Sequence, residues 1–126
     1  MNPQPLIAVR DVPSSRQWYE AVLGLRSGHG GDEYDRMMFG DCMALQLHRW
    51  DAHGHAHLGD PSAPVGNGAI LWFQTDHFDT IVTGAQTHNA RILEGPHVNS
   101  NANHREIWLS DPDGYVVVVA GKPGDV

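Results

Sequence analysis

The chain has 126 residues, 40% of them hydrophobic, which suits one folded domain with a real core and excludes a disordered chain. Eight basic against 15 acidic side chains give a formal net charge of −7, an acidic balance that argues against nucleic acid, whose phosphates need clustered Lys and Arg. No apolar run approaches the ~20 residues of a membrane span, the N-terminal residues do not read as a leader, and the lone Cys42 cannot close an intrachain disulfide. A reducing cytoplasm is the expected compartment, with no membrane and no nucleic acid as partner.

In chain order, "PLIAVR" (Pro5 to Arg10) reads as a strand by its length and β-branched content. The stretch from Asp11 to Arg26, "DVPSSRQWYEAVLGLR", reads as a helix. Ser14 or Ser15 would cap it, Trp18, Tyr19, Val22 and Leu23 share a face, and Gly24 would end it. "RMMFGDCMALQLHRW" then offers two strands around a Gly40-Asp41 turn. Asp51 to Gly68, rich in Gly, Pro and Ala, reads as a linker.

The pattern then repeats. "AILWFQT" is the second leading strand, and Asp76 to Arg91, "DHFDTIVTGAQTHNAR", has the same Asp-to-Arg span as the first helix, with Phe78, Ile81, Val82 and Ala85 as an apolar stripe. Glu94 to His104, "EGPHVNSNANH", reads as an irregular excursion. "HREIWLSDPDGYVVVVAG" closes the chain as a hairpin turning at Pro112-Asp113-Gly114. Each half is thus a strand and a helix followed by a small antiparallel meander.

A doubled unit of this kind, with "DVPSSRQWYEAVLGL" in its first helix and "WLSDPDGY" in its last hairpin, resembles the vicinal oxygen chelate superfamily. That superfamily includes glyoxalases, bleomycin resistance proteins and extradiol dioxygenases. The resemblance runs from about Pro5 to Gly121. It implies an α+β fold of two βαβββ modules forming a cupped, half-open mixed β-barrel with the helices outside. One domain over residues 1–126 is expected, with module one at about 4–50, a linker at about 51–67 and module two at about 68–121. A homodimer is implied too, because family members commonly complete or shield the cup across two chains.

The family's metalloenzymes carry ligands on the first and last strands of each unit. Carried over, those positions fall on Gln4, Gln46, Ala69 or Ile70, and Val118. Two neutral amides and two hydrocarbons supply no carboxylate, imidazole or thiolate for a divalent ion, so no metal cofactor is expected there. Period-two alternation places Gln4, Leu6 and Ala8, then Ala44, Gln46 and His48, on the cup side of module one. In module two it places Ile70, Trp72, Gln74, Glu106, Trp108, Val116 and Val118 there, with Ile107, Leu109, Val117 and Val119 toward the helix.

An aromatic wall of Trp72 and Trp108 with Gln46, His48, Gln74 and Glu106 as polar groups suits a small organic ligand, although lone tryptophans are also core residues. Glu106 is the more telling group, since a carboxylate on a buried strand must be paired; the plainer accounts of it are an exposed strand face or a salt bridge to an arginine. The expected function is metal-independent binding of a drug or metabolite, the expected site being Gln4, Leu6, Gln46, His48, Trp72, Gln74, Glu106, Trp108 and Val118.

Two enzymatic readings stand beside it. A metal-dependent lyase, isomerase or dioxygenase would draw a relocated ligand set from His48, His97, His104, Glu106 or the loop of His53, His55 and His57. A cofactor-free enzyme would use Glu106 or His104 as a general acid–base. The His53–His57 tract lies in a flexible linker, where an incidental His-rich loop is the plainer account.

Overall fold

The structure, a computed structural model, describes residues 1–50, 57–65 and 67–126 and divides into two compact units, Met1–Pro64 and Val65–Val126. The first unit contains β1 (Leu6–Val9), α1 (Val12–Leu23), β2 (Arg26–Ser27), β3 (Tyr34–Phe39) and β4 (Cys42–Arg49). The second contains β5 (Ile70–Gln74), α2 (Phe78–Thr87), β6 (Arg91–Asn99), β7 (His104–Ser110) and β8 (Val116–Ala120). The sheet orders are β1-β4-β3-β2 and β5-β8-β7-β6, the same topology twice. Each leading strand pairs in parallel with the last strand of its own unit, and the remaining pairs are antiparallel. This is the expected α+β fold of two βαβββ modules.

Helix α1 starts one way and not the other. Pro13 lies in the first turn, and the cap is Asp11, whose Oδ1 accepts from the Ser14 backbone N–H at 3.2 Å, instead of the serines that the sequence suggests. An Asp three residues before a serine satisfies the orphan N–H, so Ser14 is the donor here. Gly24 ends the helix at φ 70, and its N–H reaches the Glu20 carbonyl at 3.1 Å. Tyr19, Val22 and Leu23 are buried on the face predicted from the spacing.

The first unit's core also holds an acid. Asp35, fully buried, accepts from Ser27 Oγ at 2.7 Å and from the backbone N–H groups of His29, Gly30 and Arg36, and pairs with Arg16 at 3.2 Å. Burial pushes its pKa up, but these donors outweigh that and hold it below the ordinary 3.8. The segment between β2 and β3 is therefore tied to α1 through one carboxylate.

In the second unit, α2 packs on β6, β7 and β8. Its side of the sheet carries Ile107, Leu109, Val117 and Val119, all buried. Each such side chain contributes about 1.5–3 kcal/mol by leaving water. The β7–β8 turn is closed by Asp111, whose Oδ1 accepts from the Asp113 and Tyr115 N–H groups at 2.9 and 2.8 Å, while Gly114 takes φ 99.

One expectation fails here. The stretch from Glu94 is not an irregular loop as far as His104: residues up to Asn99 belong to β6, and only Ser100 to Asn103 turn. Gly95-Pro96 reads as a breaker, yet β6 is the edge of its sheet, where a proline's missing N–H costs no ladder bond. Two register shifts, between Ile92 and Glu94 and between Glu94 and His97, absorb the irregularity. Of the linker and its histidines, His57 is described, whereas Asp51, His53 and His55 lie outside the described residues.

Candidate functional site

The face of the second sheet opposite α2 can be read row by row from its registers. Ile70 pairs with Val116 and that with Ser110, Trp72 with Val118 and Trp108, Gln74 with Ala120 and Glu106. On the far side β6 sets Glu94 against Trp108, His97 against Glu106 and Asn99 against His104. Glu94 and His97 are three apart and would point to opposite faces of a regular strand. The intervening bulge brings both to the same face. The structure also settles the register left open in the sequence: Ile70, with Trp72 and Gln74, lies on this face.

Glu106 is the centre of that face. It is 3% exposed and lies on an inner strand. Its Oε1 accepts from Trp108 Nε1 at 2.9 Å and stands 3.4 Å from His97 Nε2. Its Oε2 meets His104 Nε2 at 2.8 Å and accepts from Asn99 Nδ2 at 3.2 Å. His97 Nε2 is also 3.6 Å from Glu94 Oε1. The neighbour across β8 is Ala120, which leaves room for the carboxylate and its partners. Burial pushes the Glu106 pKa up; the N–H donors of Trp108, His104 and Asn99, with the charge of His104, outweigh it and hold the group below the ordinary 4.5. An ionised carboxylate only accepts, so the His104 nitrogen facing it carries the proton.

The two tryptophans form a corner above this network. Their ring centroids are 6.3 Å apart at 86°, an edge-to-face contact, and Trp72 also lies 6.0 Å from the His104 ring. Trp72 is 48% exposed, a large aromatic surface left open, while Val118 between the tryptophans in the register is fully buried.

The first unit's equivalent face carries a second polar chain. Leu6 pairs with Gln46 and Ala8 with His48, while β3 sets Arg36 against Gln46 and Tyr34 against His48. Tyr34 donates its hydroxyl to Gln46 Oε1 at 2.7 Å, and Gln46 Nε2 donates to the Gln4 backbone carbonyl at 2.8 Å. His48 is buried with Nδ1 2.8 Å from the Arg49 carbonyl oxygen, and its ring meets Tyr34, which in turn meets His29. Gln4 itself precedes β1 and is exposed. It contributes its backbone and not the strand-borne amide that the sequence comparison assigned.

The donor set at the family's metal positions does not fit a divalent ion. Ile70 and Val118 offer hydrocarbon, Gln46 offers a neutral amide oxygen that also accepts from Tyr34, and Gln4 stands before the strand. Among the described residues no group of three His, Cys, Asp or Glu side chains could hold a metal ion. His97 and His104 do come together at the Glu106 carboxylate, His104 as a hydrogen-bond partner at 2.8 Å and His97 as a neighbour at 3.4 Å.

The expected site residues thus fall into two sets. Gln4, Leu6, Gln46 and His48 belong to the first unit, and Trp72, Gln74, Glu106, Trp108 and Val118 to the second. Sequence reasoning missed Tyr34, which orients Gln46, and Glu94 and Asn99, which sit in the stretch it took for a loop. Tyr34 opens β3 opposite His48, one row from Gln46, so the β3–β4 pairing and not a local motif brings the two together.

The family model described as Glyoxalase/Bleomycin resistance protein/Dioxygenase superfamily matches residues 3–119. Among solved structures, the chain is similar to an integron cassette protein from the V. cholerae mobile metagenome, at 23% identity and TM-score 0.73 over 96% of this chain and 94% of that one. It is also similar to a glyoxalase/dioxygenase from Nostoc punctiforme, at 21% identity and TM-score 0.72 over 95% and 89%. A glyoxalase/bleomycin resistance protein/dioxygenase family enzyme from Burkholderia phytofirmans PsJN gives 18% identity and TM-score 0.76 over 94% and 95%. At these identities the likeness is one of fold. A comparison with curated proteins finds no match.

Proposed function

Because the chain belongs to the glyoxalase/bleomycin resistance protein/dioxygenase superfamily, yet lacks fitting donors where that family's enzymes hold a metal, we propose that it binds a small organic molecule without a metal. The observation that carries this reading is the state of Gln46. Its carbonyl accepts from Tyr34 and its amide nitrogen donates to the Gln4 backbone, which holds this neutral amide, the one polar side chain at a family ligand position on a strand, as part of the wall. The half-exposed Trp72, set edge-to-face on Trp108, supplies the apolar surface such a ligand needs. Glu106 and His104 are placed by this reading as supports, since both Glu106 oxygens are already engaged.

The ligand class is a drug or metabolite with a planar apolar part. The reading carries a homodimer in a reducing compartment; among the described residues no helix is long and apolar enough to cross a membrane. Thermal melts against two panels test it. A ligand present at 100 times its Kd stabilises the fold by about 2.7 kcal/mol. Planar organic molecules should raise the melting temperature and divalent ions should not. A rise with a divalent ion alone would favour the metal-dependent lyase, isomerase or dioxygenase reading, for which the meeting of His97 and His104 at Glu106 is the supporting observation.

A further inference from the structure

The tryptophan corner has a single common support. Glu106 holds Trp108 directly through the indole N–H and holds the His104 ring through Nε2. Trp72, the exposed member, rests on both of those rings and on nothing else aromatic among the described residues. Asn99 and His97 close around the same carboxylate from β6. The Trp108 N–H, the one polar group of that side chain, is thereby taken up by Glu106 along the same face of the sheet, and its ring carbons are left for contact.

We infer that Glu106 is a positioning residue: one buried carboxylate sets the angle between Trp72 and Trp108 and so fixes the shape of the aromatic wall. A wall held in advance loses little rotamer freedom when a planar ligand lies against it, which favours rigid flat ligands over flexible ones. The chemistry needs an acceptor-only group. A glutamine at 106 would match the carboxylate in size, but its amide nitrogen is a donor and would face another donor, Trp108 on one side or Asn99 on the other. The functional weight of the inference rests on the binding reading above. Its test reads the indoles alone, so either can fail without the other.

Two indoles 6.3 Å apart and nearly perpendicular couple their ultraviolet transitions, which gives a paired band in circular dichroism. Trp72→Phe should remove that band and so assign it. Glu106→Gln should also lose most of the band while keeping the remaining far-ultraviolet spectrum and a cooperative melt, and Glu106→Asp should restore part of it. A folded Glu106→Gln protein with the band intact overturns the inference. Should Glu106→Gln fail to fold, the unaltered protein decides the matter by NMR. The Trp108 indole proton should then exchange with solvent about tenfold or more slowly than that of Trp72, the protection expected of a hydrogen bond to a charged group. Equal exchange at the two indoles overturns it.

Discussion

Glu106 combines features that rarely coexist: an ionised carboxylate, burial, and a full set of N–H partners. Stability depends on pH through it in a definite direction. Its folded pKa lies below the ordinary 4.5, so the unfolded chain binds the proton more readily. Its contribution is fully present above 4.5 and is lost as pH falls through the lower folded value. Asp35 acts with the same sign from 3.8 downward. Urea unfolding of the protein and of Glu106→Gln should therefore give curves that differ at neutral pH and converge as pH drops below 4.5; a constant difference would contradict the assignment. Trp72 behaves oppositely. Because Trp72 is half exposed, Trp72→Ala should cost only about 1–2 kcal/mol in denaturant unfolding, yet abolish the ligand-induced rise in melting temperature. Among single residues, alternation alone placed Trp72, Glu106 and Trp108 on one face. It did not show that the indole and imidazole N–H groups converge on the carboxylate, because that depends on rotamers and on a bulge in the next strand.

At the scale of elements, β6 was the least legible. Its Gly95-Pro96 pair and its asparagines carry the composition of a loop, and the two bulges erase the period-two signal that would have marked a strand. Gly95 has φ 82, and a Cβ there would stand 2.8 Å from the Glu106 carbonyl oxygen and 3.0 Å from the His97 backbone nitrogen. Since both are backbone atoms, Gly95→Ala should destabilise by about 1–3 kcal/mol and disturb His97 as well. Calorimetry checks the first, and the His97 ring resonances the second. The helices were more legible, because their apolar spacing is regular. The cap of α1 lies three or four residues before the expected Ser14 or Ser15 for a local reason: Asp and Ser are both good caps, and only the strand before them fixes where the chain turns. Asp11→Ala should cost about 1 kcal/mol, read as a lower urea midpoint with an unchanged slope.

At the scale of the whole molecule, duplication was the strongest signal. Two Asp-to-Arg spans of equal length, each after a short apolar run, predict two units, and both units carry the same strand order. The family motifs then gave the ligand positions. Their occupants, above all Val118 in a run of four valines, pointed away from metal before any geometry was available. What sequence could not supply was the use to which Gln46 is put, since Tyr34 meets it only across the β3–β4 hairpin. The central claim is that this member of the superfamily works without a metal. Elemental analysis of the protein, purified without chelator and without an affinity tag, tests it most directly. The account predicts divalent metal far below one ion per chain; a stoichiometric ion retained through dialysis would contradict it.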